Sequence, residues 1–268
     1  MKMKKFLKKF TISLIGRPNF IRKIQWIVLE QLIKKTRKGT FLDIGAGSLY
    51  FTEKLNSFNP KKIIAIDIDF DEQTIKNAEK MKILTIEADA QKELPLEEGI
   101  ADLIILSSII QMVANPDDLL KECKRLLKSD GLIIISAPNE YKFLPKLHKF
   151  FSNFKFLNIF NIPKVYEDYL ESLRDNFGAI CKNGFFSEKE LLDLIQKSGF
   201  QVTSKKTSPG FFGSFLWEIS LIFQNRFGKK VFYFLYLFTP IAIIFDYLYN
   251  SKYSCEHIWG IQKSDLIK

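Results

Sequence analysis

FLDIGAGSLY, residues 41–50, is the stretch on which the fold turns. Apolar residues run into Asp43, Gly45 and Gly47 flank Ala46, and the residues that follow can open a helix. A strand that stops in a glycine turn before a helix lets backbone amides approach a nucleotide closely. A dinucleotide site asks for G-x-G-x-x-G, whose third glycine allows helix and strand to pack tightly. Tyr50 occupies that third position, so a pyrophosphate would lose part of its seat.

Outward from this loop, apolar runs alternate with helical patterns. Residues 20–35 carry apolar positions at helical spacing, and residues 48–58 suit a helix ended by Asn59-Pro60. KKIIAIDID (61–69) reads as a buried parallel strand. Asp69 and Glu72 stand at capping-box spacing for a helix over 71–80. KILTIEADA (82–90) and ADLIILS (101–107) are the next two strands. Asn115-Pro116 offers an N-cap and a first-turn proline for a helix to about Leu127, and Asp130-Gly131 turns the chain into LIIISAPN, 132–139.

Five strands alternating with helices predict a parallel sheet covered on both faces, with its ligand outside the carboxyl ends of the strands. The residues at those ends are Asp43 to Gly47, Asp67, Asp89 and Ser107-Ser108. Carboxylates there suit a ligand that offers an amine, a ribose diol and an adenine amine rather than phosphates.

That layout resembles the class I S-adenosylmethionine-dependent methyltransferases. FLDIGAGSLYFTEKL is similar to their glycine loop, AIDID to their ribose strand and EADA to their adenine-contact segment. ADLIILSSIIQMV, then NPDDLLKECKRLLKSDGLIIISAPN, resembles their fourth and fifth strands, and FFSEKELLDLIQKSGFQV their late helix and sixth strand. The resemblance covers about residues 38–140 and 184–203. It implies an α/β fold: a doubly wound, mostly parallel seven-stranded sheet of Rossmann-like methyltransferase type. The core would comprise 38–140 and 184–268, with an apolar helical insertion over 211–249. A cap would be inserted over 141–183, and a basic arm and helix, 1–37, would precede the core.

The cofactor implied is S-adenosyl-L-methionine. By resemblance, Gly45, Ala46 and Gly47 would meet its methionine part, with Asp43 beneath the loop. Asp67 would take the ribose hydroxyls, with Ile68 also in the cofactor site, Asp89 with Ala90 would bracket the adenine, and Ser107 would lie beside the sulfonium. Many relatives carry a Glu-His pair where this chain has Gln111-Met112, so no general base carries over. Tyr141, His148 and Tyr166 are candidates by position alone, and no catalytic residue is assigned.

Composition narrows the partners. The formal charge is +10, yet residues 1–40 hold twelve Lys and Arg against the single acid Glu30, so the remainder is close to neutral. A basic segment rather than a basic domain argues against a broad nucleic-acid groove and fits an arm on an anionic surface. Phe6, Phe10 and Leu14 share one face of that arm, as in a basic amphipathic helix. The short, lysine-interrupted apolar stretch there is a poor signal peptide. Three scattered cysteines and two histidines predict a reducing compartment and no metal site.

FFGSFLWEISLIF (211–223) and VFYFLYLFTPIAIIF (231–245) are strongly apolar. The second is too short for a span of about 20 residues, and Pro240 interrupts it. Such helices can be core, can lie in a membrane interface, or can wall a site for a lipid-linked acceptor. The function expected is methylation of a small molecule, lipid-like, quinone-like or a lipid-linked sugar, by a cytoplasmic enzyme peripheral to the membrane. An RNA methyltransferase using the basic arm and an inactive cofactor-binding scaffold stay open as alternatives. The chain after strand four reads SSII and lacks the Asn/Asp-Pro-Pro-aromatic tetrad of base-amine methylating relatives.

Overall fold

The computed structural model describes residues 20–34, 36, 38–139, 149, 161, 164–165, 167–168, 186–227, 238–248 and 254–264. The basic arm over 1–15, nearly all of the cap region, and the candidates Tyr141, His148 and Tyr166 lie outside the described residues. The described residues fall into two compact units. The larger holds those of 28–139, 186–206 and 256–264, and the smaller those of 20–27, 141–172, 207–227, 238–248 and 254–255.

The larger unit is built on β1 (Thr40–Ile44), β2 (Lys62–Asp67), β3 (Leu84–Glu87), β4 (Ala101–Ser107), β5 (Leu127–Pro138), β6 (Phe200–Thr207) and β7 (Glu256–Lys263). Their order in the sheet is β3-β2-β1-β4-β5-β7-β6. The first five strands pair in parallel, and β7 runs antiparallel against β5. The expected mostly parallel seven-stranded sheet is therefore present. Chain order reverses between β1 and β4, so the crevice for a ligand opens at the carboxyl ends of those two strands.

The core explains why these runs are strands. Leu42, Ile64, Ile66, Ile104, Leu106 and Ile133 are essentially inaccessible and belong to one cluster. Two helices close over it: α4 (Pro116–Leu126) contributes Leu119, Leu120, Cys123 and Leu126, and α5 (Glu188–Lys197) contributes Leu191 and Ile195. Burial pushes the Cys123 thiol well above its ordinary range, which leaves it an inert core residue.

Local chemistry moved several boundaries. In place of one helix over 48–58, α2 (Thr52–Leu55) is followed by a 3-10 turn, Asn56–Phe58. Leu49 and Asn59 hold positive φ of 62° and 51°, which a continuous helix does not allow. The cap of α3 (Glu72–Lys80) is Asp71, whose carboxylate accepts the Thr74 N–H at 2.7 Å; the Asp69–Glu72 box expected there does not form. Asp130-Gly131 is not a turn between elements but lies within β5. There the ladder passes from Ala101↔Leu127 to Leu103↔Leu132, so five positions on β5 answer two on β4 and the excess is bulged out. Asn115 stands at the N-cap of α4, with its amide turned to Asp118 rather than to the backbone. The strand expected over 82–90 is shortened to β3, which leaves Asp89 in a turn.

The smaller unit contains α6 (Phe211–Phe227) and α7 (Thr239–Leu248), together with the first half of α1 (Phe20–Ile33). Ile24, Leu216 and Ala242 form its buried cluster, with Phe212, Trp217 and Ile243 packed against it. Pro240 sits in the first turn of α7, where a helix does not need its N–H. Asp246 of α7 accepts the N–H groups of Phe212 at 2.8 Å and Gly213 at 2.9 Å, and so caps the start of α6. No helix among the described residues is long and apolar enough to cross a membrane.

Candidate functional site

The glycine loop is pinned from two sides. The N–H groups of Gly45 and Ala46 donate to the Ile66 carbonyl at 2.8 and 3.1 Å, extending the β1–β2 ladder past the end of β1. The N–H of Gly47 donates to Asp67 Oδ2 at 2.7 Å, and the N–H of Ile68 to Asp67 Oδ1 at 2.8 Å. Asp67 thus ties the loop to the end of β2. Each of its oxygens keeps a lone pair for a further donor such as a ribose hydroxyl.

Both glycines hold positive φ, 77° at Gly45 and 48° at Gly47, where L side chains are strained. A Cβ on Gly45 would lie 2.8 Å from the Ile109 side chain, whereas one on Gly47 would meet nothing within 4 Å. Gly47 therefore presents an open face, and Gly45 is where the segment after β4 closes onto the loop.

The other acids do different work. Asp43 is 1% exposed and accepts the hydroxyl of Thr52, the first residue of α2, so it fastens the outgoing helix to β1 from beneath the loop. The turn carboxylate of Asp89 accepts the N–H and the side-chain amide of Gln91, both at 3.0 Å. Those bonds, the backbone one foremost, hold its carboxyl below the usual carboxylate range. Ala90 is half-buried against the core, and Ala46 is buried. Ile68, by contrast, is 74% exposed, an apolar side chain standing free of the core immediately after Asp67.

At the end of β4, Ser107 is buried with its hydroxyl 3.5 Å from that of Ser136 on β5. Ser108 follows at a φ of 55°, its N–H donating to the Ser136 carbonyl and hydroxyl. Its own hydroxyl approaches Glu256 Oε1 at 3.4 Å. Gln111 is buried and carries no titratable group. The structure thus brings Asp43, Gly45, Ala46, Gly47, Asp67 and Ile68 together at the β1 and β2 ends. Ser107 lies at the adjacent β4 end, and Asp89 with Ala90 follows β3, on the far side of β2. Ser136 and Glu256 were invisible to sequence reasoning, since only the β4–β5 and β5–β7 registers bring them to this edge. Among the described residues no group of three or more His, Cys, Asp or Glu could hold a metal.

These features fit the cofactor. An open glycine face, a carboxylate at the end of β2 and an exposed aliphatic beside it are of a kind that suits a ligand with a diol and a flat apolar base, and residues 45–50 include no Lys or Arg.

Comparison with known proteins agrees. A family model described as a methyltransferase domain matches residues 42–135. An uncharacterised protein of Methanocaldococcus jannaschii is 30% identical over 173 residues, which cover 65% of this chain and 70% of that protein. A Mycobacterium tuberculosis protein named "Probable S-adenosylmethionine-dependent methyltransferase" is 24% identical over 193 residues, 70% of this chain and 67% of that one. The fold is shared with 1,6-didemethyltoxoflavin-N1-methyltransferase of Burkholderia thailandensis, solved with 1,6-didemethyltoxoflavin and S-adenosylhomocysteine. The TM-score is 0.53 at 13% identity, over 98% of this chain and 87% of that one. With a strand order, a glycine loop and sequence relatives that all lead to one place, the chain belongs to the class I S-adenosylmethionine-dependent methyltransferase family.

Proposed function

We propose that the chain transfers a methyl group from S-adenosylmethionine to a small acceptor of lipid-like, quinone-like or lipid-linked character, held at a membrane surface on the cytoplasmic side. Methyl transfer from a sulfonium is an in-line displacement, so the protein's task is alignment and exclusion of water. The glycine loop and Asp67 would hold the methionine and ribose parts, Ile68 and the Asp89-Ala90 turn the adenine. The reactive methyl would then lie over the end of β4.

The observation that carries the acceptor class is the outer face of α7. Phe238, just before it, and Ile241, Ile244 and Phe245 on it are 44, 51, 58 and 42% exposed. At 3.6 residues per turn Ile241, Ile244 and Phe245 fall within about 100° of one another, with the buried Ala242 about 60° beyond Phe245. An apolar face of that kind, in a chain whose first forty residues are strongly basic, supports contact with an anionic lipid surface. Flotation of the purified protein with anionic and with neutral liposomes tests it. Movement with the anionic vesicles is expected, and protein left at the bottom of both gradients would remove the lipid-linked acceptor from consideration.

A further inference from the structure

We propose that Glu256, acting through the hydroxyl of Ser108, receives the proton that the acceptor gives up, and that the acceptor is therefore an alcohol, phenol or amine. This rests on the methyltransferase reading above.

The antiparallel sense of β7 is what brings Glu256 to the site. Parallel strands present their last residues at the ligand edge, but a strand running the other way presents its first. Glu256, the first residue of β7, stands opposite Pro138 at the carboxyl end of β5. Ser108, at the carboxyl end of β4, lies 148 residues away in sequence with its hydroxyl 3.4 Å from the glutamate. The next residue, Ile109, packs on Gly45. The order β1-β4-β5-β7 therefore sets the glycine loop, Ser108 and Glu256 in a row across one edge of the sheet.

Ser108 is held in an unusual conformation for a side-chain-bearing residue. Its φ of 55° lies in the left-handed region, and two bonds from its N–H to Ser136 over-determine it. Its hydroxyl has Ser136 Oγ at 3.3 Å as well as Glu256, so it can donate to the glutamate while its oxygen accepts from a third group.

In the step itself, a lone pair of the acceptor oxygen or nitrogen attacks the methyl carbon. The carbon–sulfur bond breaks and its electron pair stays on sulfur. The acceptor's proton passes to Ser108 Oγ while the proton of Ser108 passes to a Glu256 oxygen. No further reactant is needed, and Ser108 ends as it began.

A carboxylate able to take that proton must lie near the cationic sulfur. S-adenosylhomocysteine lacks both the methyl group and the charge, so the ratio of the two affinities isolates what the protein does at the reacting centre. Calorimetric titration of wild type and of Glu256→Gln with each compound tests the proposal. The variant is expected to lose about 3- to 30-fold in S-adenosylmethionine affinity, with S-adenosylhomocysteine affinity unchanged. Glu256→Asp should retain most of the preference, and Glu256→Ala repeats the test should the glutamine variant fold poorly. An unchanged ratio, or equal weakening of both ligands, would overturn the proposal while leaving the methyltransferase reading intact. A wild type that binds neither compound would strike that reading first.

Discussion

Asp67 and Gly45 show how far a single residue type reaches. An acid at a strand end and a glycine after an acid are both visible in the sequence, and the structure ties them through the Gly47 N–H bond to Asp67. Asp67→Ala is expected to weaken S-adenosylmethionine binding by about 1–3 kcal/mol, the scale for losing hydrogen bonds to a charged group. Calorimetry with unchanged affinity would take Asp67 out of the site. Gly45→Val should be worse, since its Cβ would press on Ile109 at a φ that disfavours any side chain. Gly47→Ala meets no neighbour, so its folding cost should be the smaller one, about 1 kcal/mol for a side chain at a φ of 48°, with affinity lost through the face it presents. Thermal melting beside cofactor titration separates the two cases. The partner of Asp43 was not legible, because Thr52 reaches it only once the loop has turned.

At the scale of elements, capping chemistry fixes where a helix starts and stops. Ser187 and Glu190 form a reciprocal capping box on α5, and Gly199 ends that helix at a φ of 78°. Ser187→Ala should cost about 1 kcal/mol of stability, read as a lower midpoint in urea. β7 carries a pH-sensitive element. His257 is buried, its Nε2 lies 3.3 Å from the Phe186 carbonyl, and burial lowers its pKa from the ordinary 6.5. A base whose folded pKa is depressed adds stability above its unfolded value, and that stability is lost as pH falls from about 6.5 towards the folded value. Melting temperature should therefore fall from pH 7 to pH 5, and less so in His257→Phe. Where elements were misread, several signals competed. Asp69 and Asp71 both offer a cap, and only backbone geometry chooses between them; Asp130-Gly131 has turn chemistry but sits in a bulge.

For the molecule as a whole, the question is which surface meets the acceptor. Ile241 and Ile244 are more than half exposed on α7, so replacing both with Ser should leave the melting curve nearly unchanged while reducing flotation with anionic vesicles. Replacement of Phe238, 44% exposed, should likewise solubilise rather than unfold. Raising salt should release part of the bound protein, because lysine contacts with lipid headgroups are screened. A loss of folding in the Ile241 and Ile244 variant would make this face core instead.

The sequence by itself determined the sheet and the residues that end its strands. Each buried parallel strand must be a continuous apolar run, and each ligand-facing end must break that run with an acid, a glycine or a serine. Asp43, Gly45, Asp67 and Ser107 are such breaks. Only the tertiary structure decided that β7 enters between β5 and β6 in the opposite sense, which carries Glu256 to Ser108. Strand register and direction are set by pairing between segments far apart in the chain, and no local pattern encodes which residue of a distant strand will face a given serine.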